Sequence, residues 1–231
     1  MDLPTLPELY KNLFKAYSPQ GWWPIQGVYE KHNNHTRVLT EKERFEICLG
    51  AILTQNTAWK NVEKSLAALQ KHDLLDPQKL ERRDMQKLAL LIRSSGYHNQ
   101  KAKKIRAFLD FLKNKKSISQ PITRENLLSV WGIGPETADS ILLYAYHQPV
   151  FVVDAYTKRI LSRMGLVEKD ADYELVRSLL ESAFASKTEQ EKVKIFNEFH
   201  ALFVEHAKQY CRTKPLCEHC PLNTSCAKRI S

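Results

Sequence analysis

The chain has 231 residues, of which 43% are hydrophobic, and this is enough for one large or two small domains with a buried core. Lysine and arginine outnumber aspartate and glutamate by 35 to 26, and the formal net charge of +9 favours a polyanionic partner whose affinity depends on salt. No apolar stretch approaches the roughly 20 residues of a membrane span, and the first residues, MDLPTLPELY, are unlike a signal or transit peptide. These features argue against a membrane protein, and we expect a soluble, cytoplasmic one.

Helical patterning dominates the chain. Glycine is scarce, with 7 residues, and apolar or small side chains recur at helical spacing, for instance at Ile47, Gly50 and Ala51 and again at Leu66 and Leu69. The sequence therefore predicts an all-α fold. The main irregular segment is 18–40, which is rich in proline and glycine and which we expect to connect two domains.

The helical stretch 45–53 is followed by a polar turn at Gln55 and Asn56. Cys48 lies alone on this mostly apolar stretch, and we expect it to pack in the core. Farther along, the basic run Lys101, Lys103, Lys104 and Arg106 is equally consistent with a solvated helix face, and we do not assign it to DNA binding.

A tight glycine turn joins two helical patterns in the middle of the chain. Residues 124–131 have helical spacing, and Gly132, Ile133 and Gly134 form a turn in which both glycines have access to positive φ. Pro135 then occupies a favoured first helical position. Backbone N–H groups at such a turn point outward together, so they can receive one phosphate of a nucleic-acid backbone without reading its sequence.

Asp154 stands between the apolar run VFVV and the helical pattern AYTKRIL. Its carboxylate can cap the following helix, and most aspartates in this position do only that. A carboxylate at a helix start can also face a cleft, so the residues alone leave both roles open.

Four cysteines close the sequence with the spacing C-x5-C-x2-C-x5-C. Thiols this close in an intracellular protein are typical of metal ligands rather than disulfides, and thiolates bind either zinc or iron–sulfur clusters. The spacing does not separate these two groups. The residues are Cys211, Cys217, Cys220 and Cys226.

These motifs together resemble the helix-hairpin-helix DNA glycosylase superfamily. Members have a Leu-x-Gly-x-Gly hairpin and an essential aspartate downstream, which correspond here to residues 128–134 and Asp154. The segments 45–66 and 93–105 are similar to further helices of the same fold, and endonuclease III also ends in four cysteines. The resemblance covers most of the chain.

The resemblance implies two helical domains. A six-helix barrel that contains the hairpin would occupy residues 37–147, and residues 1–36 would pack with 148–231 in a second domain. Asp154 would open the second domain at the mouth of the cleft between the two, where binding sites often lie. The partner would be double-stranded DNA that contains damaged bases, bound by a nucleoid-associated monomer.

The resemblance also implies roles for individual residues. Asp154 would stabilise the oxocarbenium-like sugar and orient or deprotonate water. Gly132, Ile133 and Gly134 would bind a phosphate, while Gln55, with Asn56 beside it, would fill the space left by a flipped nucleotide. The four cysteines would hold a structural [4Fe-4S] cluster in the loop 211–226, with zinc as the less favoured occupant, although their first gap has five residues where endonuclease III has six.

Residues at two positions limit which of the family's reactions we expect. Bifunctional members carry a lysine nucleophile after the hairpin, but this chain has Glu136, which cannot form a Schiff base. The mismatch-adenine branch carries a glutamate as general acid where this chain has Ala51. Both departures favour hydrolytic release of a cationic base that needs no proton donor, such as 3-methyladenine.

Aromatic residues suit such a base, because cationic purines gain from stacking and cation–π attraction. Trp22, Trp23, Pro24 and Phe45 resemble the base pocket of the 3-methyladenine DNA glycosylase III branch, which also has a glutamate at the position of Glu136. Without the family, two adjacent tryptophans beside a proline would more often anchor an irregular segment to a core.

Three alternatives remain open. One is an endonuclease III-like glycosylase and lyase that acts on oxidised pyrimidines through another lysine. Another is a thymine-mismatch glycosylase, a branch that also lacks the hairpin lysine. The last is a DNA-binding protein that carries the iron–sulfur cluster and has no catalytic activity.

Overall fold

The computed structural model describes residues 3–30, 37–115 and 120–230. The predicted all-α fold is confirmed, since the regular elements of these ranges are helices and the extended pairing among them is one isolated antiparallel bridge between Ile25 and Val28. None of the described helices is both long and apolar enough to cross a membrane. The polar run HNNH at 32–35 lies outside the described residues.

The contacts within the chain divide it into two compact units. The terminal unit comprises Met1–Trp22, Glu30–Thr36 and Gln148–Ser231, and the hairpin unit comprises Trp23–Tyr29 and Arg37–His147, each within the described ranges. The two adjacent tryptophans, Trp22 and Trp23, therefore belong to different units.

The hairpin unit is built around one buried helix. Helix α2 begins after Thr40, whose side chain accepts from the Glu43 backbone N–H while the Glu43 carboxylate accepts from Thr40, a reciprocal capping box. Every residue from Phe45 to Leu53 is buried, so α2 is covered on all sides. The predicted core position of Cys48 is confirmed, because its side chain has no exposed surface. The helices of this unit are α2 (Glu41–Leu53), α3 (Trp59–Lys71), α4 (Pro77–Glu81), α5 (Met85–Leu91), α6 (His98–Asn114), α7 (Arg124–Leu128) and α8 (Pro135–Ser140), with a π-helical turn at Ile141–Ala145.

The terminal unit has an aromatic core along one long helix. Its helices are α1 (Leu6–Tyr17), α9 (Ala155–Met164), α10 (Tyr173–Ser182) and α11 (Glu189–Gln209). Phe199 and Phe203 of α11 stack with ring centroids 4.4 Å apart, and Phe151 packs edge-on against Phe196 and Phe199 at 5.3 and 5.7 Å. Such pairs add to the burial of each ring, so α11 forms the centre of this unit, and α1 and α9 pack against it.

Candidate functional site

The glycine turn has the conformation that its sequence predicts. Gly132 has a φ of +85°, and the Ile133 N–H donates to the Val130 carbonyl at 3.1 Å, which closes the turn. Gly134 is the N-cap of α8 and Pro135 its first residue, as predicted. The preceding helix is shorter than the pattern 124–131 indicated, because α7 ends at Leu128.

Helix α6 supports this turn directly. A β-carbon built on Gly132 would lie 2.5 Å from Cγ of Lys104, so the lysine stem occupies the space that any other residue would need. Gly132 is therefore required both by its positive φ and by the close approach of Lys104. Lys104 also donates from Nζ to the side-chain oxygen of Gln55.

Gln55 lies against the hairpin. Its amide nitrogen donates to the Gly132 carbonyl at 3.1 Å and to the Thr137 hydroxyl at 2.9 Å. Asn56 beside it is exposed and has a φ of +53°. The polar turn and the glycine turn, separate in sequence, thus form one hydrogen-bonded group, and Gln55 would have to leave these partners to enter DNA.

The basic run on α6 is not a uniform solvated face. Lys101 is only 2% exposed, and its Nζ donates to the carbonyls of Leu53 and Ser95, each at 2.7 Å. Burial, reinforced by the nearby charge of Lys104, lowers the pKa of Lys101 to about 8. Lys101 therefore holds the end of α2 just before the polar turn, and the solvated-face interpretation is wrong for this residue.

The Trp23 indole packs against α2 at Gly50. A β-carbon at Gly50 would lie 2.8 Å from Cζ2 of the Trp23 indole, so the indole occupies the place of a side chain at this position of the helix. Trp59 packs edge-on against Trp23 at 5.1 Å, and the Tyr144 ring lies 5.0 Å away at a tilt. The indole therefore fills the space beside Gly50, and two further aromatic rings pack against it.

The segment that carries the two tryptophans is also tied by two buried carboxylates. In the hairpin unit, Glu46 of α2 accepts from the Gln26 backbone N–H at 2.7 Å. Burial raises the pKa of Glu46. In the terminal unit, Glu198 of α11 accepts from the Gln20 backbone N–H at 2.6 Å. Each bond lies within its own unit, and together they restrain the chain before and after the tryptophans.

The remaining predicted pocket residues differ in exposure. Trp22 is half-buried in the terminal unit, with the Lys208 ammonium 6.0 Å from its ring centroid. Pro24 is buried in the hairpin unit. Phe45 has no exposed surface, so a base could stack on it only after other side chains moved away.

Asp154 caps α9 in the terminal unit. Its Oδ1 accepts from the Thr157 backbone N–H at 2.7 Å and from the Thr157 hydroxyl at 2.9 Å. Its Oδ2 lies 3.6 Å from Nε2 of His200 on α11. The capping role that the sequence predicted is thus present, and the second oxygen of the carboxylate faces a histidine.

The pKa of Asp154 lies below its ordinary value. Burial acts in the opposite direction and raises it, but His200 and the two hydrogen bonds from Thr157 together lower it further than burial raises it. Asp154 is therefore ionised at neutral pH, which is the form that can stabilise a cationic sugar.

The four cysteines line one pocket of the terminal unit, together with His206 and Tyr210. Burial and the neighbouring cysteines raise the pKa of the Cys220 and Cys226 thiols. Backbone N–H groups of Leu222 and Lys228 donate to these two sulfurs, each at 3.4 Å. Four thiols on one pocket, two of which accept from backbone N–H groups, have the donor chemistry of an iron–sulfur cluster, whose sulfurs accept such bonds.

Helix α9 is bonded to this cysteine loop. Arg163 donates to the Arg212 carbonyl at 2.6 Å and approaches the Cys211 sulfur at 3.5 Å, and Arg159 donates to the Cys211 carbonyl at 2.9 Å. The helix that Asp154 caps therefore also carries arginines that hold the loop. Among the described residues, no group of three or more cysteine, histidine or acidic side chains is arranged to hold a metal ion.

Several site residues were missed by the sequence analysis. Gly50 gave a signal, since an isolated glycine within a helical pattern usually has a packing reason. His200 and Lys104 gave none, because their contacts with Asp154 and Gly132 join distant parts of the sequence.

Comparison with known proteins agrees with this geometry. Residues 49–186 match the family of HhH-GPD superfamily base excision DNA repair proteins. A protein of Methanocaldococcus jannaschii, provisionally assigned as a DNA repair glycosylase, is 39% identical to this chain. The alignment is 231 positions long and covers 96% of each chain. Endonuclease III of Thermotoga maritima is 29% identical over 187 residues, 80% of this chain and 84% of that protein.

Solved structures show the same fold. The 3-methyladenine DNA glycosylase of Helicobacter pylori, bound to 1,N6-ethenoadenine, matches with a TM-score of 0.73 and 31% identity over 89% of this chain and 98% of that one. An endonuclease III–DNA complex matches with a TM-score of 0.76 and 20% identity over 96% and 94% of the two chains. This chain belongs to the HhH-GPD superfamily of base excision DNA repair proteins.

Proposed function

We propose that this protein is a monofunctional DNA glycosylase that removes alkylated purines, such as 3-methyladenine, from double-stranded DNA. The observation that carries this proposal is the similarity, over nearly the whole chain and at 31% identity, to the Helicobacter pylori enzyme named for 3-methyladenine. Purines methylated at N3 or N7 are cationic in DNA, so they leave the sugar without prior protonation. Ala51, where the mismatch-adenine branch has a glutamate acid, is compatible with such a substrate.

Glu136 supports a reaction without strand cleavage. It lies in the first turn of α8, where bifunctional relatives carry the amine that attacks the sugar. A carboxylate forms no Schiff base, and without that intermediate the β-elimination that breaks the strand does not begin. The product is then a free base and an abasic site.

Asp154 provides the catalytic carboxylate of the proposed reaction. The bond between C1′ and the base nitrogen breaks, and its electron pair leaves with the base, which becomes neutral. The ionised carboxylate stabilises the positive charge that develops on the sugar. A water oxygen then bonds to C1′, and its proton passes to Asp154.

Recognition of the damaged nucleotide divides between aromatic and polar groups. Trp22 and Trp23, both half-buried, offer ring faces for a flat cationic base, with Pro24 and Phe45 as supporting pocket residues. The N–H groups around Gly132, Ile133 and Gly134 bind a phosphate, and Gln55 and Asn56 fill the place of the flipped nucleotide. Gln55 exchanges its bonds to the hairpin for contacts with DNA in this step.

A [4Fe-4S] cluster is the cofactor that the cysteine loop supports best. Cys211, Cys217, Cys220 and Cys226 would hold it, since all four line one pocket. Bound there, the cluster would cross-link the C-terminal loop. Base release would depend on Asp154 and water and not on the cluster.

The test is identification of the bases that the protein releases from methylated duplex DNA. We expect 3-methyladenine or 7-methylguanine in the supernatant, no strand nicking, and a loss of release of about 10³-fold or more in Asp154→Asn, since this variant loses the charge that stabilises the sugar cation. Asp154→Asn keeps an oxygen that can accept from Thr157, so its melting temperature serves as the folding control.

Other outcomes separate the alternatives. If the protein released a base from T:G or oxidised-pyrimidine duplexes but not from methylated DNA, the proposed substrate would change from alkylpurines to those bases. Nicking together with a covalent adduct trapped by borohydride would show a lysine nucleophile and end the monofunctional proposal. If the protein bound every duplex and released no base, it would be a DNA-binding protein without glycosylase activity.

A further inference from the structure

We infer that His200 is a positioning residue for the catalytic carboxylate of Asp154, an inference that rests on the proposed glycosylase function. His200 lies on α11 and Asp154 at the start of α9, two packed helices of the terminal unit. The contact joins Nε2 of His200 to Oδ2 of Asp154 at 3.6 Å. The two side chains are 11% and 13% exposed, so solvent screens the contact little.

The two oxygens of Asp154 have different partners. Oδ1 accepts both hydrogen bonds from Thr157, and these bonds form the helix cap. Oδ2 takes no part in the cap, and His200 is the cationic or N–H donor group that approaches it. Nε2 of His200 lies just beyond hydrogen-bond distance, in a place where it can restrict the rotation of the carboxylate and leave the other lone pair of Oδ2 for water and the sugar.

The chemistry of the reaction needs such a partner. A carboxylate stabilises the sugar cation only while it is ionised, and burial disfavours the ionised form. A histidine that donates to Oδ2 opposes this penalty, and a contact of 3.6 Å in the free enzyme can shorten when DNA closes over the site.

The burial of His200 calls for a polar partner. The buried neighbours of this residue on α11 include Phe196, Phe199 and Phe203, each with no exposed surface, beside the polar Asn197 and Glu198. A polar ring in such surroundings loses water contacts, so a partner must compensate for them.

The experiment measures base release under single turnover with the full-length protein, on whichever damaged duplex the wild type processes. His200→Leu removes the donor and His200→Gln retains an N–H donor in a similar place. We expect a ten- to hundredfold lower rate constant in His200→Leu, recovery of most of it in His200→Gln, and a Kd for the duplex within about twofold of wild type in both.

A double variant tests whether the effect passes through Asp154. In an Asp154→Asn background, His200→Leu should cause no further loss of rate, because the carboxylate on which His200 acts is gone. His200→Phe, which matches the neighbouring rings, takes the place of His200→Leu if the latter fails to fold. Melting temperatures of all variants identify losses that arise from unfolding.

The outcomes distinguish the two levels of inference. A wild-type rate in His200→Leu, equal losses in His200→Leu and His200→Gln, or a full additional loss in the Asp154→Asn background would overturn the role of His200 while leaving the glycosylase proposal in place. Failure of the wild type to release a base from any duplex would overturn both.

Discussion

At the scale of single residues, the absence of a side chain at Gly50 determines where the Trp23 indole lies. The indole lies where a side chain at position 50 would project, 2.8 Å from the place of a β-carbon. Trp59 and Tyr144 close around the same indole, so it has little freedom to move aside. The glycine thus determines where an aromatic face of the proposed pocket can lie.

Gly50→Ala should destabilise the protein. Alanine favours a helix by about 1 kcal/mol over glycine, but overpacking of a rigid ring costs about 1–3 kcal/mol, and we expect a net loss of about 1 kcal/mol. Urea denaturation measures this difference. Release of alkylpurines should fall with it, because the displaced indole changes the pocket.

The matched control removes the ring. In a Trp23→Ala background the added methyl group meets open space, so Gly50→Ala should become stabilising by up to about 1 kcal/mol through helix propensity alone. A loss of stability of equal size in both backgrounds would show that Trp23 is not what makes glycine necessary.

Residue-scale prediction from sequence succeeded where the signal is local. The core position of Cys48 and the capping role of Asp154 follow from the residues beside them in the chain, and both are present. The role of Lys101 stays open in the sequence, because its partners, the carbonyls of Leu53 and Ser95, are brought to it only in the folded chain.

At the scale of elements, a buried ion pair ties the two helices of the hairpin together. Arg124 at the start of α7 donates to both oxygens of Asp139 on α8, at 2.7 and 3.2 Å. The Asp139 side chain is wholly buried and that of Arg124 is 25% exposed. This bidentate contact holds α7 and α8 at the angle that presents the glycine turn.

Asp139→Ala should destabilise the hairpin unit by about 2–4 kcal/mol, because it leaves a partly buried guanidinium without its carboxylate. Glu81→Ala is the control, since its pair with Lys113 is largely exposed and should contribute less than about 1 kcal/mol. Urea denaturation measures the free energy of unfolding of both variants. Equal effects would mean that the buried pair does not hold the hairpin.

The helices of the hairpin could be predicted because glycine and proline mark their ends. Pro135 opens α8 and Gly132 takes a positive φ, as the residue types require. The contact between Gln55 and this turn could not be predicted, since nothing in the sequence shows that α6 brings Lys104 beneath both. Local chemistry thus predicts where elements start and stop, while packing decides what they touch.

At the scale of the whole molecule, charge and catalysis are carried by different groups. The net charge of +9 acts on any DNA phosphate backbone, whatever its sequence or damage. The proposed chemistry depends instead on one buried carboxylate and on aromatic rings that carry no charge. Affinity for DNA and the rate of base release should therefore respond differently to salt.

Duplex affinity should fall steeply with salt while the rate of bound enzyme stays constant. Each phosphate contact contributes a slope of about −0.9 to the plot of log K against log salt, so even three contacts predict a loss of about fortyfold between about 50 and 200 mM salt. Fluorescence anisotropy measures the affinity, and single-turnover release at saturating protein measures the rate. Undamaged duplex should give the same slope as damaged duplex, because the phosphate contacts are shared. A rate that fell in parallel with affinity at saturation would show that phosphate contacts also position the catalytic groups, and the separation of charge from chemistry would then be wrong.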